Sequence, residues 1–160
     1  MAYPHLFAAG RIGALKTKNR FVMPPMVRNY ADADGMVTPR YLEHIARIAK
    51  GGVGTMIIEA SYVSRDGKGF VNQLGIHDNG CIPGLKKLVG AAHAEDAKIG
   101  IQLYHGGRQA SSATAGTQPV APSPIPDPVV NEVPRELTKN DIALLVGKFA
   151  EAAVRAKKAG

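Results

Sequence analysis

The chain has 160 residues, of which 45% are hydrophobic and 21% charged. This balance excludes an intrinsically disordered protein and allows one ordinary domain with a buried core. The formal net charge of +7 could serve a nucleic acid or an anionic membrane, but the lysines and arginines are scattered rather than clustered, so we expect neither partner.

The N-terminal stretch does not have the pattern of a signal peptide or a membrane span. Arg11, Lys16 and Lys18 interrupt it, and it contains no long apolar run. Residues 11–19 alternate apolar with polar or small positions, which predicts a small hairpin. Cys81 is the only cysteine, so an internal disulfide is impossible and a cytoplasmic location is the default expectation.

A short apolar run from Phe21 to Met23 predicts the first buried strand of the main sheet. Pro24 and Pro25 end it, because proline lacks the N–H that a central strand must donate. A polar segment then leads to the first long helix. Ligands of α/β proteins bind at the carboxyl ends of parallel strands, so we expect this strand end to form one wall of a binding site.

The first long helix is signalled by Thr38 as its N-cap and by Pro39 at its first position. Apolar residues at helical spacing give it one core-facing stripe, and Gly51-Gly52 ends it. Residues 55–60 predict a second strand that is apolar except for Glu59, as expected of a parallel strand covered on both faces.

A second helix starts near Pro83, and a third strand follows over residues 98–105 with one amide, Gln102. Residues 106–136 have no periodicity and contain six prolines, which is typical of a lid or binding loop. Beyond this loop a last helix is predicted.

The last helix begins with Thr138 and Asp141, which predict a capping box. Its apolar stripe is predicted to face the core and consists of Ile142, Leu145, Val146, Phe149 and Ala153.

This order of elements predicts an α/β fold of three β/α units with parallel neighbouring strands. Three units after a hairpin approach half of a (β/α)8 barrel, which typically needs about 250 residues. We therefore expect residues 1–160 to form the N-terminal portion of one TIM barrel. Its open strand edges need covering, by a second polypeptide, by a missing C-terminal part or by another copy in a homo-oligomer.

Gln102 is the sharpest candidate for binding a ligand. A carboxamide offers a donor and an acceptor side by side, which matches the edge of a pyrimidine-like ring. Because the strand is expected to be buried, the amide must have partners, and neighbouring backbone would serve equally well. Ala60 would let a flat ring approach, or is simply a small residue at a tight strand end. His105 and Arg108 could supply a proton donor and a cation, or be a buried histidine and a surface charge.

Metal and nucleotide-phosphate sites are not expected. The histidines lack the close spacing of a metal site, and a single cysteine cannot build a thiolate site. The glycines of Gly51-Gly52-Val53-Gly54 follow a helix, which is the wrong context for a dinucleotide-binding turn.

Four motifs in unbroken order resemble the N-terminal part of the old yellow enzyme family, which contains FMN-dependent NADH:flavin oxidoreductases and ene-reductases. The similar segments run across essentially the whole chain. They are Ile12-Gly13 with Lys18–Met26, Gly51–Gly54 with Ile58-Glu59-Ala60, Gly100–Leu103 with His105–Arg108, and Pro134–Thr138.

The resemblance implies a TIM barrel that holds FMN at the carboxyl ends of its strands. Ala60 would contact the flavin, and Gln102 would hydrogen-bond its pyrimidine edge. In many relatives the position of Val27 holds Thr or Cys, which can bond to the flavin, whereas valine cannot. The flavin would lie along four residues at the end of the first strand, namely Pro24, Pro25, Met26 and Val27.

The reaction implied for the completed barrel is reduction of the C=C bond of an α,β-unsaturated carbonyl compound, an enone or enoate, by NADH or NADPH through the flavin. Asn29, Tyr30 and Arg108 are expected to border the substrate pocket. In the family, the residues that polarise the carbonyl and donate the proton follow later strands. We therefore expect the catalytic groups beyond residue 160 and no activity from the chain alone.

Two alternatives remain open. One is a larger iron–sulfur flavoenzyme of the dienoyl-CoA reductase or trimethylamine dehydrogenase type, whose cluster cysteines would lie beyond residue 160. The other is a non-catalytic half-barrel that dimerises or retains flavin without turnover.

Overall fold

The N-terminal part of the fold is a short helix and a hairpin. The structure is a computed structural model that describes residues 3–160. Helix α1 (Pro4–Phe7) precedes the antiparallel pair of β1 (Gly10–Ile12) and β2 (Leu15–Thr17). Gly13 turns between the two strands with a φ of +58°, a conformation that glycine adopts without steric cost. The predicted hairpin is confirmed.

The main sheet has three parallel strands in the order β3 (Val22–Met23), β4 (Thr55–Tyr62) and β5 (Lys98–Tyr104). Helix α2 (Pro39–Lys50) connects the first two strands and helix α3 (Ile82–His93) the second two. This is the predicted β/α alternation.

The prediction for the first strand was wrong in extent and burial. Phe21 lies outside β3, and the side chains of Phe21 and Val22 are both exposed. The reason is that β3 is an edge of the described sheet, paired only with β4. The strand does end before Pro24, as expected.

The core lies on one face of this sheet, under the helices. The Thr38 hydroxyl caps α2 by accepting the Tyr41 N–H, as predicted. The opposite face carries Gly100 and Gln102, which are exposed. The principal core side chains are Tyr41, Ile45 and Ala49 from α2, Met56 and Ile58 from β4, and Leu85, Leu88 and Ala92 from α3.

The long segment after β5 has more structure than its sequence predicts. It contains helix α4 (Ser112–Ala115) and strand β6 (Val120–Ala121), which pairs in parallel with β7 (Arg135–Glu136). The Arg135 N–H donates to the carbonyl of Pro119 at 2.8 Å. The segment is therefore closed at its base immediately before the last helix.

Helix α5 (Lys139–Ala159) opens with the predicted capping box of Thr138 and Asp141. The predicted core-facing stripe was wrong, because Ile142, Val146 and Phe149 are exposed and the buried positions are Ala152 and Ala159. Helix α5 packs on α3 and β5 on one side only, so most of its apolar stripe faces outward. None of the helices in residues 3–160 is both long and apolar enough to cross a bilayer.

Candidate functional site

Two of the predicted ligand-binding residues lie directly side by side. Ala60 in β4 is the register partner of Gln102 in β5, and side chains that are opposite in a sheet share a face. The preceding partners are Ile58 and Ile101, so β4 contains one extra residue, Glu59, at this point. Such a β-bulge lets β4 present Ile58 to the helices and Ala60 to the other face.

The expectation that Gln102 is buried was wrong, because its side chain is exposed. It lies on the face of the sheet that no described helix covers. A Cβ built on Gly100 would meet nothing within 4 Å, so this surface is open next to the amide. A small side chain beside an accessible carboxamide suits the edge of a flat heteroaromatic ring, which needs a donor and an acceptor side by side.

Glu59 faces the helices and is 2% exposed. Its Oε2 accepts the backbone N–H of Arg28 at 3.0 Å. Burial raises the pKa of the Glu59 carboxyl, while the Tyr41 hydroxyl and the backbone N–H groups of Arg28 and Asn29 lower it. Burial and the neighbouring carboxylate both raise the pKa of Tyr41. The bulge residue is therefore tied to the segment that leaves β3.

Ala60 is also held from its other side. Gln73, which is fully buried, donates from Nε2 to the Ala60 carbonyl at 2.6 Å and accepts the Gly69 N–H at 2.8 Å. The buried carboxamide is thus satisfied at both ends, as a buried polar group must be. Together, Glu59 and Gln73 fix the backbone on either side of the position paired with Gln102.

The segment leaving β3 is the predicted wall of the site. Pro24 and Met26 are exposed, whereas Pro25 and Val27 are half-buried. Met26 and Pro24 border a cavity of about 10 Å³ that also touches Glu59. The Glu59 contact with Arg28 places this segment beside the end of β4, although it forms no ladder with it.

The three proposed substrate-pocket residues do not gather at one point. Asn29 is exposed and has a φ of +55°, so the chain turns there. The Tyr30 ring packs edge-on against Tyr41, and the Arg40 guanidinium lies 4.0 Å above its centroid, so this side chain is turned toward α2. Arg108 is exposed on a single turn after β5.

A pair that sequence reasoning missed joins the loops after β4 and β5. The His105 side chain is 8% exposed, and its Nε2 lies 3.6 Å from Oδ2 of Asp66. Its Nδ1 accepts the Gly107 N–H. Interaction with His105 and the Ser64 hydroxyl holds the pKa of Asp66 at about 2, against the opposing effect of burial. His105 is thus a buried histidine that links two loops.

The structure also groups His77, Asp78 and Cys81 before α3, a cluster that their sequence spacing did not suggest. Cys81 Sγ lies 3.8 Å from Nδ1 of His77, and Asp78 Oδ2 lies 3.1 Å from Nε2. The two nitrogens of one imidazole point in different directions. The arrangement therefore consists of two separate pairs rather than donors around one cation.

Of the residues missed, Glu59 had a signal in the sequence. A lone carboxylate in an otherwise apolar strand must be paired, because burying an unpaired charge is very costly. Gln73 and the Asp66–His105 pair had none, because their partners come from distant or irregular segments.

The comparisons with known proteins agree with this geometry. The model of the NADH:flavin oxidoreductase / NADH oxidase family matches residues 5–160. The NADH oxidase of Thermoanaerobacter brockii is 45% identical over 159 residues, which is 98% of this chain and 24% of that protein. The NADPH dehydrogenase of Listeria monocytogenes serovar 1/2a is 40% identical, over 97% of this chain and 45% of that protein.

Solved structures show the same fold. A 2-naphthoyl-CoA reductase in complex with 2-naphthoyl-CoA superposes with a TM-score of 0.94 at 31% identity, covering 99% of this chain and 26% of that one. The old yellow enzyme homologue from Zymomonas mobilis superposes with a TM-score of 0.87 at 32% identity, covering 98% and 46%. The chain spans about a quarter to just under half of these relatives.

The three parallel strands are thus part of a TIM barrel that is not closed within this chain. The family binds FMN, and the residues present fit that group, since the exposed Gln102 amide adjoins the small Ala60 on an open surface. The chain belongs to the NADH:flavin oxidoreductase / NADH oxidase family, which includes the old yellow enzymes.

Proposed function

We propose that the protein is an FMN-dependent oxidoreductase that uses NADH or NADPH to reduce the C=C bond of an α,β-unsaturated carbonyl compound. The pairing of Ala60 with Gln102 at the carboxyl ends of two parallel strands carries this proposal. Family membership and the similarity to an old yellow enzyme homologue support it. We expect a cytoplasmic location, where a free Cys81 stays reduced.

The residues of this chain would bind and orient the cofactor. The Gln102 carboxamide would donate to and accept from the pyrimidine edge of the flavin, while Ala60 leaves room for the ring. FMN, when bound, supplies the hydride transfer between the nicotinamide and the substrate. The flavin would lie against Pro24, Pro25, Met26 and Val27.

Two residues of this chain are placed to meet a substrate. Asn29 and Arg108 are both exposed and follow strands whose carboxyl ends form the site. Arg108 offers a fixed positive charge, which suits an enoate or another anionic substrate. Tyr30 would contribute indirectly, because its ring rests on α2.

The remaining walls must come from further barrel elements. A cavity of about 310 Å³ lies between β5, α3 and α5 and is lined by apolar side chains such as Leu88, Ile101 and Ala156. The exposed apolar stripe of α5 adjoins it. We expect the groups that polarise the carbonyl and deliver the proton on those further elements, and no efficient turnover from residues 1–160 by themselves.

A second candidate is a larger flavoenzyme that also carries an iron–sulfur cluster, of the dienoyl-CoA reductase type. Similarity to long relatives favours it. The NADH oxidase of T. brockii and a metal reductase of Desulforamulus reducens are 45% and 43% identical, and this chain covers only 24% and 23% of them. A CoA thioester with a conjugated double bond would then be the substrate class.

Native purification with all associated polypeptides tests these proposals. Release of FMN on denaturation, together with NADH or NADPH oxidation driven by a simple cyclic enone, is the expected result. A flavin-free native preparation contradicts the proposed function. Stoichiometric iron and acid-labile sulfide would identify the larger enzyme. Bound flavin without turnover of enones or enoyl thioesters would identify a non-catalytic half-barrel.

A further inference from the structure

Glu59 is a buried carboxylate that the proposed reaction does not use. It lies in a strand whose other residues before Ala60 are apolar or small, and it is 2% exposed. A charge in such surroundings is costly unless it is hydrogen-bonded. Its position therefore calls for a physical explanation beyond packing.

Two features connect Glu59 with the candidate flavin surface. It is the extra residue of the β-bulge, so Ala60 is the partner of Gln102 because Glu59 is inserted before it. Its Oε2 also accepts the Arg28 N–H at 3.0 Å, from a residue that belongs to no strand. One side chain thus ties the irregular exit of β3 to the bulge of β4.

The second carboxylate oxygen faces the same exit segment. Within residues 3–160, Oε1 of Glu59 is buried and has no hydrogen-bond partner. It adjoins a cavity of about 10 Å³ bordered by Pro24, Met26 and Tyr41, about the lower limit for one water molecule. The Tyr41 hydroxyl interacts with the carboxylate. Either a water molecule or this hydroxyl can satisfy Oε1, and both hold the exit segment against α2.

We infer that Glu59 is a positioning residue, which holds the exit segment of residues 24–29 and the Ala60–Gln102 pair in one binding surface. The inference rests on the proposed function only in identifying this surface as the flavin site. Glu59 touches neither cofactor nor substrate. It acts through the Arg28 N–H on one side and through the backbone of Ala60 on the other.

Three variants of the complete native protein test the inference: Glu59→Leu, Glu59→Gln and the core control Leu88→Ala, which lies on α3 away from the exit segment. Hydrogen exchange is followed in a peptide spanning residues 26–31, and FMN affinity is measured at matched denaturant midpoints. Glu59→Leu should speed Arg28 amide exchange and raise the Kd for FMN, each about tenfold. Glu59→Gln should restore both in part, because its amide oxygen can still accept the Arg28 N–H.

Leu88→Ala should lower stability without changing either readout. Equal effects of Leu88→Ala and Glu59→Leu, or unchanged Arg28 exchange in Glu59→Leu, would overturn the inference. If the native protein lacks FMN but Arg28 loses protection only in Glu59→Leu, the proposed function fails and the positioning role stands. Should Glu59→Leu not fold, the native protein decides, because an Arg28 amide that exchanges as fast as exposed loop amides also overturns it.

Discussion

Ala60 and Gln102 are partners across β4 and β5 because β4 contains one residue more than β5 at Glu59. Strand side chains alternate between faces, so a shift of one residue changes the face of every later side chain. The bulge keeps Ile58 on the helix-covered side and still places Ala60 beside the amide. The relationship leads to predictions about cofactor binding and about the loops around the site.

Replacing Gln102 with leucine should weaken FMN binding. The exposed carboxamide is the polar group on this face best suited to the flavin edge, and losing its hydrogen bonds should cost about 1 to 2 kcal/mol, or roughly tenfold in Kd. Fluorescence titration of the apoprotein with FMN measures the change. Gln118→Leu removes another exposed carboxamide, in the loop before β6, and should leave the Kd unchanged. Equal FMN affinity in Gln102→Leu and the native protein would refute the role of the amide.

Val27→Thr should raise the reduction potential of bound FMN. Threonine has nearly the shape of valine, and its hydroxyl can donate to the flavin, which carries more negative charge when reduced. One such hydrogen bond of about 1 kcal/mol corresponds to roughly 20 mV for a two-electron couple. Equilibration with a reference dye measures the potential. Val27→Ala has no hydroxyl and should not produce the rise, so a similar increase in both variants would argue against a hydrogen bond.

Gly35→Ala should destabilise the protein more than Gly13→Ala. Both glycines have positive φ, of +81° and +58°, which costs an alanine about 1 kcal/mol. At Gly35 a Cβ would also lie 2.3 Å from the Tyr62 hydroxyl, whereas at Gly13 it would meet nothing within 4 Å. We expect about 2 to 4 kcal/mol for Gly35→Ala and about 1 for Gly13→Ala. Urea unfolding of the two variants measures both, and equal losses would contradict the contact with Tyr62.

Asp66 should contribute to stability in a way that depends on acid pH. Contact with His105 lowers its pKa from 3.8 to about 2, so the folded state favours the carboxylate. This contribution is present above the unfolded value and is lost as pH falls through the folded one. The difference in urea midpoint between the native protein and Asp66→Asn should therefore shrink as pH is lowered from about 4 to about 2.

The matched control for Asp66 is Asp96→Asn. Asp96 is exposed and lies 3.4 Å from Lys98, and such surface pairs contribute little to stability. The control should show a small difference from the native protein across the acid range. A pH-independent difference in Asp66→Asn would mean that His105 does not stabilise the carboxylate.

The strengths and failures of sequence reasoning follow the range of the interactions. The caps at Thr38 and Thr138 and the stop at Pro24 were predicted correctly because each depends on neighbours within one helical turn or one strand end. The burial of Gln102 and the core-facing stripe of α5 were predicted wrongly. Both depend on which elements cover a surface, and that is decided by residues far away in the chain.

The sequence by itself determined the order of strands and helices, their ends, and the family to which the chain belongs. Only the tertiary structure decided that Glu59 forms a bulge, that Ala60 meets Gln102, and that Asp66 meets His105. The physical reason is that backbone preferences and caps act over a few residues. Strand register and contacts between loops are set by packing a whole sheet against its helices, where a shift of one residue exchanges the two faces.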